Sequence, residues 1–299
     1  MRQAHPRFPE FEYYQPKSSQ EAADFLNKHA DQSRPFAGGT DCLNQVRDKK
    51  IIPHYLVDLK AIEGFKDLRF DPQKGLIIGA AVNLNQLIRH PHIIKYYPLI
   101  AETAQEVGGY QLRNRATLVG NLCNASPCGD TIGACMVYRG TLQIVGPDYK
   151  RTIDLKDFFK GPGKTSLQSG EIVESVYFPL LPKGTKGSFQ SIGRNKVGDL
   201  AIAAVTVLGF ENSDCLSGYE FLITLTAVAP TVIFSKQAQD LLKNKPINEK
   251  ALNKAAGLCA EESKPISDIR SGAQYRKDMI QMLALRGLNK TCELLNISL

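Results

Sequence analysis

A segment that contains two Pro and two Gly, residues 179–187, divides the chain into two parts whose sequence patterns differ, and its composition is typical of a linker. Before it, short strand-like runs alternate with amphipathic helical runs. After it, two long β-rich runs, 201–210 and 220–228, come before three helical stretches. This order predicts an α+β fold in which α/β units are followed by an antiparallel sheet backed by helices.

The first 60 residues show the pattern of one small α/β unit, because strand-like and helical runs alternate from the aromatic run at 11–14 to the apolar run at 55–59. Ser18 can cap the first helix. We predict three domains. They are an N-terminal α/β subdomain at 1–60, a second α/β subdomain at 61–182 and a C-terminal α+β domain at 183–299.

Composition excludes several classes of protein. No apolar run reaches the roughly 20 residues that a membrane-spanning helix needs, and Met1 to Glu10 lack the apolar core of a signal peptide. The excess of 37 Lys and Arg over 30 Asp and Glu is spread along the chain, so we expect no nucleic-acid partner. Seven cysteines without a Cys-x-x-Cys pair favour free thiols, and we predict a cytoplasmic protein.

The pentapeptide Ala37-Gly38-Gly39-Thr40-Asp41 is the first candidate binding segment. Consecutive glycines allow backbone N–H groups to face a bound anion without a Cβ in the way, and Thr40 adds a hydroxyl. A pyrophosphate suits such a segment, although it matches neither Gly-x-Gly-x-x-Gly nor the P-loop pattern. A plain strand-to-helix turn is the equally open alternative.

The second candidate lies in residues 111–135, a stretch rich in Gly, Asn, Ser and Thr that we predict to be a backbone-rich loop. Its segment 117–121, Thr-Leu-Val-Gly-Asn, offers small polar groups for phosphate and ribose, and Asp130 can accept hydrogen bonds from sugar hydroxyls. A tightly turned structural loop, whose polar side chains satisfy local backbone groups, is the alternative.

Three cysteines, Cys123, Cys128 and Cys135, lie close together in this stretch. Their spacing matches no familiar cluster or zinc motif, and three ligands are one short of the usual four. We therefore expect them to pack as small side chains and predict no metal on this chain. The histidines and carboxylates form no pattern typical of an active site, so we predict no catalytic side chain.

The two segments together resemble those of a known family, the FAD-binding medium subunits of molybdenum hydroxylases, which include carbon monoxide dehydrogenase and the flavin part of xanthine dehydrogenase. The resemblance covers nearly the whole chain. It rests on the opening Phe11 to Ser18, on 37–41, Val57-Asp58-Leu59, Gln111 to Asn114, 117–121, Ala125-Ser126-Pro127, Gly193-Arg194 and Gly198 to Ala201.

This resemblance implies two α/β subdomains of the vanillyl-alcohol-oxidase/PCMH-type FAD-binding fold, with FAD held between them. The residues implied to bind FAD are Phe36, Ala37, Gly38, Gly39, Thr40, Asp41, Thr117, Leu118, Val119, Gly120, Asn121, Asp130, Val173 and Gln190. Val173 would lie against the flavin ring system. Two positions depart from the family pattern: Val119 replaces a glycine, and Gln190 stands near a position where some relatives carry Lys.

The resemblance also implies partners. A large subunit would carry the molybdopterin cofactor and a small subunit the 2Fe–2S clusters, in a heterohexamer with two copies of each chain. Electrons would pass from the clusters through FAD on this chain to an external acceptor such as NAD(P) or a quinone-like carrier. Two alternatives remain open from the sequence: a self-sufficient flavin oxidoreductase, and a nucleotide-binding interaction module without a redox role.

Overall fold

The computed structural model describes residues 8–195 and 198–299. The strands are β1 Glu12–Tyr14, β2 Ser33–Phe36, β3 Tyr55–Asp58, β4 Leu68–Asp71, β5 Gly75–Gly79, β6 Thr141–Val145, β7 Lys150–Asp154, β8 Phe159–Gly161, β9 Lys164–Thr165, β10 Ile172–Pro179, β11 Lys186–Ile192, β12 Ala203–Glu211, β13 Tyr219–Thr226 and β14 Ile233–Phe234. The helices are α1 Ser19–Lys28, α2 Cys42–Arg47, α3 Leu84–Arg89, α4 Pro91–Tyr96, α5 Pro98–Glu106, α6 Tyr110–Arg113, α7 Leu118–Asn124, α8 Asp130–Val137, α9 Leu155–Phe158, α10 Lys236–Asn244, α11 Glu249–Glu262 and α12 Ala273–Leu294.

A three-stranded parallel sheet with the order β1-β3-β2 forms the N-terminal unit, and the predicted alternation of strands and helices over the first 60 residues is confirmed. The central strand β3 pairs Val57 with Tyr14 on one side and with Pro35 on the other. Because parallel strands end at the same edge of a sheet, the residues that follow β1, β2 and β3 lie close together.

An antiparallel sheet with the order β4-β5-β10-β6-β7 follows. The central strand β10 packs apolar side chains such as Val176 and Phe178, both fully buried, into the larger hydrophobic core. Helices α3, α5, α7 and α8 contribute to the same core, because each buries an apolar stripe against it.

The C-terminal sheet, with the order β11-β12-β13-β14, uses both of its faces. Successive residues of a strand point to opposite faces. Thus Ala204 and Leu208 join the larger core, whereas Val205 and Val207 pack in a second core beneath α10, α11 and α12. This arrangement confirms the predicted antiparallel sheet backed by helices.

The prediction of one long loop for residues 111–135 is wrong, since the structure has the helices α6, α7 and α8 there. Gly, Asn, Ser and Thr have modest helix propensity, which favours a loop when residues are considered singly. The Thr117 hydroxyl instead caps α7, and burial of Leu118 and Leu122 stabilises that helix by packing.

Within the described part of the chain, no helix combines the length and the apolar character that crossing a bilayer would require.

Candidate functional site

The first candidate segment lies at the carboxyl edge of the parallel sheet. Phe36 is the last residue of β2, and helix α2 begins at Cys42. Within the segment, the Gly39 carbonyl accepts a hydrogen bond from the Leu43 N–H at 2.9 Å, and the Thr40 carbonyl accepts one from Asn44 Nδ2 at 2.7 Å. In a trans peptide the N–H points opposite to the preceding carbonyl, so the N–H groups of Thr40 and Asp41 point away from α2.

These N–H groups are available to a ligand. In the part of the chain that the structure describes, residues 38–41 donate no backbone hydrogen bond to another protein group, and the segment is partly open to solvent. Gly39 has a φ of +76°, a conformation that glycine adopts readily and that other residues adopt at a cost. The segment therefore suits an anion such as a nucleotide phosphate.

Gly38 brings the two candidate segments together. A Cβ at Gly38 would lie 2.1 Å from the carbonyl oxygen of Arg115 and 3.0 Å from Cα of Ala116. Both residues directly precede Thr117, which caps α7. Only glycine fits at position 38, because its backbone packs directly on the backbone that leads into the second segment.

The second segment is the start of helix α7 rather than a loop. The Thr117 hydroxyl accepts a hydrogen bond from the Gly120 N–H at 3.0 Å, and a Cβ at Gly120 would lie 2.7 Å from that hydroxyl. Leu118 and Val119 are buried in the core. The departure from the family pattern at Val119 is therefore accommodated by apolar packing, while Gly120 stays exposed.

Asn121 connects this helix to the first turn of α8, which begins at Asp130. Its Oδ1 accepts a hydrogen bond from the Thr131 hydroxyl at 2.9 Å. Asp130 is the first residue of α8 and is only 7 % exposed. Burial, with a smaller contribution from the negative charge of Glu106, raises the pKa of Asp130 to about 7. A carboxyl group with such a pKa can donate as well as accept a hydrogen bond near neutral pH.

A polar cluster that sequence reasoning missed lies at the same edge of the parallel sheet. Asp58, the last residue of β3, is buried and accepts hydrogen bonds from the Tyr13 hydroxyl and from Lys60 Nζ, the latter at 2.5 Å. Burial alone would raise the pKa of Asp58, but the hydrogen bonds from Lys60 and Tyr13 hold it below its ordinary value. Lys60 Nζ also lies 4.2 Å from the centroid of the Phe36 ring. A carboxylate at the end of a buried parallel strand was the available signal.

Two predicted residues lie elsewhere. Val173 pairs with Ile144 in the central sheet and is 4 % exposed within the core. Gln190 pairs with Val205, so its side chain lies on the face of the C-terminal sheet that packs against α12, where a Cβ at Gly287 would be 3.5 Å from its Cγ. Phe189, its neighbour, faces the larger core instead. The structure thus separates Gln190 from the other candidates, because alternation along a strand sends neighbours to opposite faces.

The three cysteines occupy separate settings. Cys123 lies in α7, Cys128 in the turn before α8 and Cys135 inside α8. Burial raises the pKa of Cys123 to about 12, and the positive charge of Arg34 opposes this rise only in part. The raised pKa disfavours the thiolate, which is the form that metals bind. Among the described residues, no group of three or more His, Cys, Asp or Glu side chains is placed to hold a metal ion.

These features together suit a nucleotide ligand. A dinucleotide such as FAD could place its phosphates and sugar against the N–H groups at 38–41, the backbone at Gly38 and the capped helix start at Thr117. Among the described residues, no protein group accepts a hydrogen bond from those N–H groups. FAD, when bound, supplies redox chemistry in steps of one or two electrons. The chain's own groups would bind and orient the nucleotide.

Comparison with known proteins identifies the family of this chain. Residues 9–181 match the family model described as the FAD binding domain in molybdopterin dehydrogenase, and residues 188–291 match the CO dehydrogenase flavoprotein C-terminal domain. The carbon monoxide dehydrogenase medium chain of Afipia carboxidovorans is 28% identical over 281 residues, which cover 94% of this chain and 96% of that relative. A putative xanthine dehydrogenase FAD-binding subunit of Escherichia coli is 28% identical over 272 residues, 90% and 92% of the two chains.

Solved structures show the same likeness. A chain of the Hydrogenophaga pseudoflava carbon monoxide dehydrogenase superposes with a TM-score of 0.91 at 28% identity, covering 96% of this chain and 99% of that one. Quinoline 2-oxidoreductase from Pseudomonas putida superposes with a TM-score of 0.87 at 26% identity, covering 96% and 98%. The chain belongs to the family of FAD-binding medium subunits of molybdenum hydroxylases. It is an FAD-dependent oxidoreductase subunit.

Proposed function

We propose that this chain is the subunit through which electrons leave a molybdenum hydroxylase complex for an external acceptor, NAD(P) or a quinone-like carrier. The observation that carries the proposal is the contact of Gly38 with the backbone of Arg115 and Ala116, because it joins the N–H groups of one segment to the capped helix start of the other. Membership of the medium-subunit family supports the redox role.

We propose that FAD is bound by the two segments, Phe36 to Asp41 and Thr117 to Asn121, together with Asp130. The N–H groups of 38–41 would bind phosphate oxygens, and the carboxyl of Asp130 would hydrogen-bond a nucleotide hydroxyl. Val173, which is 4 % exposed in this structure, stays a proposed neighbour of the flavin ring system. Gln190 is left out of this proposal because of its position against α12.

We also propose the assembly that the relatives' names suggest. Similar proteins are called medium chains or FAD-binding subunits, which supports a small iron–sulfur subunit and a large molybdenum subunit as partners. We propose that these chains form a heterohexamer in the cytoplasm.

The predicted division into 1–60, 61–182 and 183–299 stays a prediction as well. Limited proteolysis of the purified chain would test whether cleavage concentrates near 182.

The proposal is tested on the complex. The tagged chain is co-expressed with its genomic neighbours, purified, and analysed for flavin, iron and molybdenum. The complex is then reduced chemically without oxygen and mixed with NAD, NADP or a soluble quinone, while flavin absorbance is followed. Rapid return of the oxidised flavin spectrum with one acceptor supports the proposal. A complex that binds FAD yet passes electrons to none of these acceptors contradicts the proposed role, and purification without metal-containing partners contradicts the proposed assembly.

A further inference from the structure

The cluster of Tyr13, Asp58 and Lys60 at the carboxyl edge of the parallel sheet is not used by the site described so far. Asp58 is 2 % exposed, and one of its oxygens accepts two hydrogen bonds from Lys60, from Nζ at 2.5 Å and from the backbone N–H at 3.0 Å. The Tyr13 hydroxyl donates to the other oxygen. A buried carboxylate is tolerated only when it is paired and hydrogen-bonded, and here four donors meet that need, the longest bond being that from Gln15 Nε2 at 3.5 Å.

Lys60 has a second contact that the ion pair does not require. Its Nζ lies 4.2 Å from the centroid of the Phe36 ring, and its side chain is only 26 % exposed. A cation over an aromatic face is attracted more strongly when it is partly removed from water. Since Asp58 fixes the ammonium group, the ammonium in turn restricts the orientation of the Phe36 ring.

The Phe36 ring reaches the glycine turn. A Cβ at Gly39 would lie 3.3 Å from Cδ2 of Phe36, so the ring packs against the residue that adopts the left-handed conformation. A continuous series of contacts therefore runs from Asp58 through Lys60 and Phe36 to Gly39.

We propose that Lys60, held by Asp58, is a positioning residue for FAD binding that acts through the Phe36 ring on the turn at Gly39. The inference rests on the FAD site proposed above and adds to it a residue outside both binding segments. Asp58 sets the direction of the Lys60 side chain, and Tyr13 holds Asp58 from the neighbouring strand. The ring then keeps the N–H groups of 38–41 in the orientation that a phosphate needs.

The test measures FAD affinity of the full-length, flavin-free chain by quenching of flavin fluorescence. Lys60→Met is expected to raise the Kd for FAD about fivefold to tenfold, the range expected of a partly desolvated cation over a ring. Lys60→Arg keeps both the ion pair and the cation above the ring, and it is expected to restore binding to near the wild-type level. Lys66→Met removes the same charge from an exposed side chain and serves as the matched control. Unfolding midpoints without FAD show that each variant is folded.

A double-mutant cycle separates positioning from a general structural effect. If Lys60 acts through Phe36, the variant carrying both Phe36→Leu and Lys60→Met binds FAD no more weakly than Phe36→Leu alone. Wild-type affinity in Lys60→Met, or effects of the two substitutions that simply add, would overturn the proposal. Should Lys60→Met fail to fold, Tyr13→Phe loosens Asp58 instead and is expected to raise the Kd by a smaller factor. A wild-type chain that binds no FAD contradicts the proposed function itself, an outcome distinct from these.

Discussion

Gly38 packs its α-carbon against the carbonyl oxygen of Arg115, so closely that a Cβ would lie 2.1 Å from that oxygen. Two segments that lie far apart in sequence are thereby brought side by side. Substitution here acts on backbone atoms, which cannot move aside as a flexible side chain can.

Gly38→Ala is therefore expected to separate the two segments and to raise the Kd for FAD by at least tenfold. Titration of the flavin-free variant with FAD measures the effect. Gly109→Ala is the control, since a Cβ there would meet only a side-chain oxygen of Gln111 at 3.6 Å, an ordinary contact. Equal affinities for the Gly38 variant and the wild type would show that the segments do not bind FAD together.

Asp130 makes stability depend on pH. Its pKa is about 7 in the folded chain, above the ordinary 3.8, so the folded state binds more protons between these values. Stability is therefore expected to fall as pH rises from about 4 to 7 and to stay at its lower level above that. Asp130→Asn removes this fall and is expected to stabilise the chain at pH 8 by up to a few kcal/mol, at about 1.4 kcal/mol per pKa unit.

Urea unfolding of the FAD-free chain at pH 5 and pH 8 measures this difference. Asp148→Asn, a substitution of an exposed carboxylate, is the control and is expected to keep the wild-type pH dependence. An unchanged pH dependence in Asp130→Asn would rule out the raised pKa.

Gly133 allows α8 to pack on the C-terminal sheet. A Cβ there would meet three threonine hydroxyls, those of Thr224 at 2.8 Å, Thr206 at 2.9 Å and Thr226 at 3.2 Å. These hydroxyl oxygens are buried without a hydrogen-bond partner in the described chain. Gly133→Ala is expected to lower the free energy of unfolding by about 1–3 kcal/mol, as overpacking of a core does.

Gly257→Ala is the same chemical change, but here we expect the free energy of unfolding to rise. This glycine lies inside α11 with nothing within 4 Å of a Cβ, so alanine is expected to stabilise the helix by about 0.5–1 kcal/mol. Denaturant unfolding of both variants compares the two. A loss at position 257 as large as that at 133 would contradict the packing argument.

Arg276 links α12 to three other segments of the C-terminal part of the chain. It is 1 % exposed and donates to the carbonyls of Ile202 at 2.7 Å and Ala227 at 3.0 Å, and to Asp268 at 2.8 Å. Arg276→Met leaves these buried carbonyls unpaired and is expected to cost about 2–4 kcal/mol of stability. Arg286→Met, on an exposed position of the same helix, is expected to change stability by less than about 0.5 kcal/mol.

Periodicity along the chain was enough to predict most of the secondary structure. The alternation in the first 60 residues and the three C-terminal helices follow from local patterns that the tertiary structure does not override. The helix at Thr117 was missed because its polar composition suggests a loop, whereas capping and the burial of Leu118 decide its conformation.

The site was predictable only in part. Two consecutive glycines at 38 and 39 are enough to suggest a backbone anion site. The contact of Gly38 with Arg115, in contrast, depends on how two distant segments pack. The partnership of Tyr13 with Asp58 crosses 45 positions of sequence, and the parallel sheet alone brings the two together. For Gln190, pairing with Val205 decides which face of the C-terminal sheet its side chain occupies.

Titration of the purified, flavin-free chain with FAD, monitored by quenching of flavin fluorescence, tests whether the two segments form one FAD site. We expect saturable binding of one FAD per chain, weakened by Gly38→Ala and unaffected by Gly109→Ala. Absence of saturable binding, or equal binding by Gly38→Ala and the wild type, would contradict a site formed by residues 36–41 and 117–121.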